Sequence, residues 1–146
     1  AVLSINPHAG DEGIIGDDDQ KILIPSLEEI SEVNNLIFGP FPSDSFFGSN
    51  KYKSFDAVLA IYHDQGLIPF KTISFGSGVN FTAGLDVIRT SPDHGTGYDI
   101  AGKNKADPSS FRSAIYTACK IYNNRISYEK NNSNPLKVSD LKSVKK

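Results

Sequence analysis

With 146 residues, 22% of them charged and a net charge of −2, the chain has the size and balance of one modest soluble domain. That charge excludes nucleic-acid binding by bulk electrostatics, and no apolar run approaches the length that crosses a bilayer. A single cysteine, Cys119, makes no internal disulfide, in keeping with a reducing, cytoplasmic setting. Methionine is absent, and Ala1 leads straight into the strand-like Val2–Ile5 with no secretory leader, so the expectation is a fragment of a longer protein.

Val2–Ile5 is predicted to be a strand that delivers Asn6-Pro7-His8-Ala9-Gly10 to its end. Pro7 removes a donor and holds Asn6 extended, so the strand stops there and His8 leads a loop. His8 reads equally as a solvated loop residue or as a ligand. Asp17, Asp18 and Asp19 suit the positive end of a helix and read as a capped, solvated helix start rather than a metal site. Ile22, Leu23, Leu27, Ile30 and Val33 recur at helical spacing, with a kink or a fresh start at Pro25. Leu36-Ile37-Phe38 is a short strand candidate before the rigid turn Gly39-Pro40-Phe41-Pro42. Ser43 or Asp44 then caps a brief helix over Ser45-Phe46-Phe47, and 51–55 is a polar connection.

The run Ala57-Val58-Leu59-Ala60-Ile61 predicts a strand buried on both faces. It opens directly into Tyr62-His63-Asp64-Gln65-Gly66, which sets an imidazole, a carboxylate and a glycine at the carboxyl edge of a sheet. Open α/β folds bind ligands at that edge; a plain polar loop with a surface histidine is the alternative. Pro69 predicts a single turn or an irregular segment over Leu67–Lys71 rather than a long helix.

Val79–Ala83 and Val87–Thr90 are predicted strands. Lys71, Asn80 and Arg89 sit among apolar neighbours, and polar groups on a buried face need partners, so the three are expected in a polar cleft. Local backbone hydrogen bonds are the simpler account. In the glycine-rich loop Ser91–Gly97, Thr96 with Asp99 imitates a capping box, and Gly102 closes the short helix. Such a helix start can hold a phosphate or the edge of a nucleotide. Asp107-Pro108 opens the clearest helix, with Phe111, Ala114, Ile115, Ala118, Ile121, Tyr122 and Arg125 in register to about Tyr128. Residues 129–146 read as a loosely ordered tail.

Taken together, several stretches resemble the 4-hydroxythreonine-4-phosphate dehydrogenase family, NAD-dependent enzymes of pyridoxal phosphate biosynthesis. They are Asn6-Pro7-His8-Ala9-Gly10, Gly39-Pro40-Phe41-Pro42-Ser43-Asp44, Ala57 through Pro69, and Gly78-Val79-Asn80 with Gly84-Leu85. Ile88-Arg89-Thr90-Ser91 and Asp93-His94-Gly95-Thr96 to Gly102-Lys103 complete the set. The last loop is also similar to the nucleotide loop of isocitrate and isopropylmalate dehydrogenases. The resemblance covers only the carboxyl-terminal portion of the family's chain, and it departs from the usual pattern at Gly97 (commonly alanine) and Asn104 (commonly glycine).

The resemblance implies an α/β fold of three layers, a largely parallel sheet flanked by helices, like the isocitrate and isopropylmalate dehydrogenases. Residues 1–62 would belong to a metal and substrate lobe, and 63–128 to a cofactor-side lobe. It further implies that His8 and His63 are two of three histidines on a divalent metal (Zn, Mg or Co), shared across a homodimer. Lys71, Asn80 and Arg89 would contact a phosphorylated hydroxy amino acid, with Lys71 and Asp64 catalytic, Asp64 by orienting an imidazole. His94, Gly95, Thr96 and Asp99 would hold NAD. The alternatives are a dehydrogenase of another phosphorylated four-carbon hydroxy acid, a folded fragment inactive by itself, and a metal-dependent hydrolase using two histidines and Asp64. The hydrolase gives no reason for the Lys71, Asn80, Arg89 set.

Overall fold

The computed structural model describes residues 1–74 and 76–135, which divide into two compact units, Ala1–Phe75 and Gly76–Lys146.

The first unit is built on the extended backbone of Ala1 to Ser4. On one side Val2 N–H donates to Phe38 O at 2.8 Å, Phe41 N–H to Val2 O at 3.0 Å, and Ser4 N–H to Phe41 O at 2.8 Å. On the other, Leu3 N–H donates to Leu59 O at 2.9 Å and Leu59 N–H to Ala1 O at 2.8 Å. Both pairings are parallel, Val2 with Leu59 and Leu3 with Phe41. Val2, Leu3 and Ser4 are buried. A cluster of phenylalanines packs beside them: Phe46 is 1% exposed, its ring 5.3 Å from Phe41 and 5.8 Å from Phe55. Truncating a ring buried this fully removes about 3–5 kcal/mol.

Several expectations are corrected here. The predicted strand over 36–38 does not form; Phe38 contributes only its carbonyl, and Phe41, beyond the Gly39-Pro40 turn, carries the pairing. Ala57–Ile61 pairs with Ala1–Leu3 through Ala57 O, which accepts from the Ala1 amino group at 2.9 Å, and through Leu59, and it is not buried on both faces: Val58 is 37%, Leu59 58% and Ile61 42% exposed. A continuous apolar run records burial on two faces, and this ladder supplies a neighbour on one edge of it. The acidic run is not solvated throughout, because Asp19 is fully buried. A wide-turned helical segment Asp19–Leu23 runs without a break into α1 (Ile24–Ser31), and Pro25, in the first turn of α1, stands where the wide turns give way to regular ones rather than at the start of a new helix.

A short helix α2 (Ser43–Gly48) and a 3-10 turn (Lys51–Ser54) follow. Helix α3 (His63–Ile73) is longer than expected and passes through Pro69. A proline removes its own N–H, so only one intrahelical bond is lost, and Ser74 N–H still closes on Phe70 O at 2.8 Å. His63 therefore begins a helix instead of leading a loop.

In the second unit, β1 (Val79–Thr82) and β2 (Arg89–Pro92) pair antiparallel, Val79 opposite Pro92 and Thr82 opposite Arg89. The largely parallel sheet is thus corrected for this unit. Its connection, 83–88, is shorter than the dozen or more residues a parallel crossover needs. Helix α4 (Ser109–Asn132) lies against the hairpin, Thr90 Oγ1 donating to Ala114 O at 3.0 Å. The helix reaches Asn132, so the loose tail does not begin at Glu129; residues 136–146 lie outside those described. Among the described residues no helix is long and apolar enough to cross a membrane.

Two side chains tie α4 in place. Asp107 Oδ1 accepts the Ser109 N–H at 2.9 Å, and the Ser109 side chain first, then this backbone bond, holds the exposed Asp107 carboxyl below the usual carboxylate range. A depressed folded value means the contribution is present above the unfolded value of about 3.9 and is lost as pH falls through the lower folded one. Asp107→Asn keeps the acceptor and is expected to flatten that acid-limb loss in circular-dichroism melts. Farther along, Arg125 Nη1 and Nη2 donate to Asp86 O at 2.8 Å and Leu85 O at 3.1 Å. Arg125→Ala leaves both carbonyls without this donor and is expected to lower stability by about 1–3 kcal/mol in urea unfolding.

Candidate functional site

Two of the three histidines stand at places where the backbone is tightly specified. His8 lies in a 3-10 turn, Pro7–Gly13, in which His8, Ala9, Gly10, Asp11 and Glu12 take φ of 53°, 55°, 82°, 46° and 56°. Left-handed geometry costs about 1–2 kcal/mol for each residue bearing a Cβ. Chains keep such runs where surrounding contacts over-determine them, which is common at functional sites. His8 itself is exposed.

His63 is the first residue of α3. Its Nδ1 lies 2.8 Å from Asp64 Oδ1, both side chains largely exposed. With Nδ1–H donating to that carboxylate, Nε2 keeps its lone pair and faces outward as a metal ligand would. The donor set therefore suits a divalent cation, although among the described residues no three His, Cys, Asp or Glu side chains gather into a complete site.

The ladder and α3 are joined by Gln65, a residue whose role sequence reading missed. Its Nε2 donates to Ser4 O at 2.7 Å, and its Oε1 accepts Ile61 N–H at 2.9 Å and, more weakly, Tyr62 N–H at 3.4 Å. The signal was present: glutamine three residues into a helix start reaches back to unpaired donors. Beside it opens a cavity of about 460 Å³ between α2 and α3, lined among others by Asp44, Tyr52, Asp64, Gln65 and Ile68. Asp44 does not cap α2 but lies in its first turn, after Pro42. No spacing rule could have paired it with Asp64, because the two acids converge through packing.

Lys71, Asn80 and Arg89 are all exposed. Lys71 lies in the last turn of α3. Asn80 and Arg89 share one face of the hairpin, since Asn80 pairs with Ser91 and Arg89 with Thr82, while Thr90 on the opposite face bonds α4. Arg89 Nη1 donates to Thr82 Oγ1 at 2.9 Å.

The glycine-rich loop is also corrected. Thr96 does not cap a helix; Gly97, at φ 63°, leads a three-residue 3-10 turn, Tyr98–Ile100, with no side-chain cap. So short a turn has few free donors to offer. His94 Nδ1 lies 2.8 Å from Gly95 O, and Gly95, Thr96 and Asp99 are exposed. Asn104 has φ 51°, the conformation glycine adopts most readily.

Comparison with known proteins decides the family. The model of the pyridoxal phosphate biosynthetic protein PdxA matches residues 1–118. The chain belongs to the PdxA family.

It is 53% identical over 137 residues to the 4-hydroxythreonine-4-phosphate dehydrogenase of Bacteroides thetaiotaomicron, covering 94% of this chain and 38% of that one. The crystal structure of the Klebsiella pneumoniae 4-hydroxythreonine-4-phosphate dehydrogenase superposes with a TM-score of 0.67 at 44% identity, over 80% of this chain and 35% of that one. A terephthalate 1,2-cis-dihydrodiol dehydrogenase from Burkholderia xenovorans gives 0.58 at 35% identity, over 80% and 37%. The fold is thus of the α/β dehydrogenase kind found in PdxA relatives, and the chain spans well under half of their length.

Gln65→Glu replaces the donor to Ser4 O with a carboxylate oxygen. It is expected to cost about 1–3 kcal/mol at neutral pH. Acidification, which restores an O–H donor, should recover part of the loss in urea midpoints.

Proposed function

We propose that the protein of which this chain forms part oxidises 4-phosphooxy-threonine, with decarboxylation, in pyridoxal phosphate biosynthesis, using NAD and a divalent metal. The observation that carries this reading is the identity of about half the residues, across nearly the whole chain, with a dehydrogenase of that name.

The metal (Zn, Mg or Co) would supply the acidifying charge at the substrate hydroxyl, and NAD the place for the departing hydride. His8 and His63 offer neutral imidazole nitrogens to the cation, on different copies of a site shared across a homodimer. Asp64 holds the His63 ring by its Nδ1 edge and so fixes which nitrogen is free. Arg89 grips the substrate carboxylate with two parallel hydrogen bonds, and Asn80 on the same hairpin face adds a neutral one. Lys71 holds the reacting oxygen or takes its proton. His94, Gly95, Thr96 and Asp99 line the nucleotide side. Residues 1–62 then serve a metal and substrate lobe and 63–128 the cofactor side of a three-layer fold like that of isocitrate and isopropylmalate dehydrogenases. The protein works in the cytoplasm. The 146-residue chain taken alone, with two of the three histidines proposed to hold the metal, is inactive.

A second reading, a sister dehydrogenase with a different hydroxylated substrate, is favoured by one observation: the similarity extends to a dehydrogenase named for a dihydrodiol. A substrate panel in the intact protein separates the two. For the leading reading, His63→Ala is expected to strip most bound metal and to lower kcat/KM for NAD reduction by at least about 100-fold. Unchanged turnover in that variant would remove His63 from the site.

A further inference from the structure

Asp19 has no place in the chemistry above, yet it is the most fully buried charged side chain among the described residues, with 0% of its surface exposed. A carboxylate withdrawn from water is retained only where donors meet it. Both its oxygens are met: Ile5 N–H donates to Oδ1 at 2.9 Å and Asn6 N–H to Oδ2 at 2.8 Å. These are the two amides at which the chain leaves the ladder, and His8 follows two residues later.

Neighbours of Asp19 hold the rest of the turn. Asn6 Nδ2 donates to Asp18 Oδ2 at 3.1 Å, and Gln20 Nε2 to Ala9 O at 3.1 Å. The turn also closes on the far side of His8, with Ile15 N–H donating to Gly10 O at 3.0 Å. The fit leaves no slack. A Cβ on Gly10 would lie 2.3 Å from Gly16 O, and one on Gly16 would lie 2.6 Å from the Asn6 side chain. By contrast Asp17, two residues before Asp19, is exposed and paired with Lys21.

We infer that Asp19 is a positioning residue for His8, its carboxylate clasping the Ile5 and Asn6 amides so that the left-handed turn presents the imidazole already oriented toward a divalent cation. The inference rests on the metal-binding reading of His8. It assigns the buried acid to the site by way of two backbone bonds and not by contact with the ion.

The test is calorimetric titration of the purified intact protein with cobalt(II) alone, alongside proton NMR of the His8, His63 and His94 rings and urea unfolding. Asp19→Asn keeps the shape but turns an NH2 toward one of the two amides. It is expected to weaken cobalt binding by about 10–100-fold, the range for groups that orient a metal ligand. The His8 ring signal should shift while those of His63 and His94 stay in place, a selectivity that a general loss of structure would not give. Asp19→Glu, which keeps two acceptors but adds a methylene, should weaken binding less, and Asp17→Asn not at all. If Asp19→Asn loses its cooperative unfolding transition, Asp19→Glu decides, with an expected loss of about 3–10-fold at an unchanged midpoint. Wild-type cobalt affinity in either folded Asp19 variant, beside weakened binding in His8→Ala, overturns the positioning role. Wild-type affinity in His8→Ala overturns instead the metal reading on which it rests.

Discussion

The backbone of Ala1 to Ser4 is the constraint on which the first unit depends. Its amides and carbonyls are committed on both sides, to 38–41 and to 57–59, and its last carbonyl, Ser4 O, receives Gln65. Immediately beyond, the amides of Ile5 and Asn6 are taken by Asp19. Buried peptide groups left unpaired are costly, so each bond fixes a neighbour as well as satisfying a donor. A parallel ladder brings together segments far apart in sequence, and here it sets the start of α3 and the turn bearing His8 by way of the same short strand.

The distribution of apolar side chains says how this unit is used. Leu3 and Phe46 are fully enclosed, whereas Ile14 is 83%, Val33 86% and Leu36 76% exposed. Apolar surface bared on this scale is normally covered by further protein. Relatives of this family are much longer, the chain spanning 38% of the Bacteroides thetaiotaomicron enzyme. The exposed run Val58–Ile61 belongs to the same pattern: its composition is that of a strand covered on both faces, and its accessibility is that of an edge.

Much of this was legible in the sequence, and the failures share a cause. The helix from Ser109 and the place of Pro25 in the first turn of α1 follow from local signals, capping and fixed φ, which act within one turn. The family was legible from motifs in order, because each motif is itself a local arrangement. What could not be read were facts of packing at long range: that Asp19 closes on amides 13 and 14 residues away, or that Asp44 and Asp64 line one cavity. The direction of the β1–β2 pairing is a different matter. Composition identifies a strand but not the direction of its partner, and only the short connection 83–88 decided it. Pro69 misled because the rule against interior proline describes a cost, and α3 is anchored at its start by Gln65.

These arrangements bear on how, within each unit, the exposed groups proposed above for ligand binding are held rigid. His63 opens a helix whose first turn is tied to the ladder, His8 sits in a turn clasped at both ends, and Asn80 and Arg89 share one hairpin face backed by α4. Each residue is exposed, while the backbone beneath it is held by hydrogen bonds that its own side chain does not make; the side chains themselves bond only locally, His63 to Asp64 and Arg89 to Thr82. Separation of those tasks matters physically. A ligand or substrate-gripping group must give its lone pairs or protons to the incoming species, so it cannot also spend them on holding itself in place. Gln65, Asp19 and Arg125 carry the holding instead, and their positions in the fold, one step behind the exposed groups, are where preorganisation has to be sought.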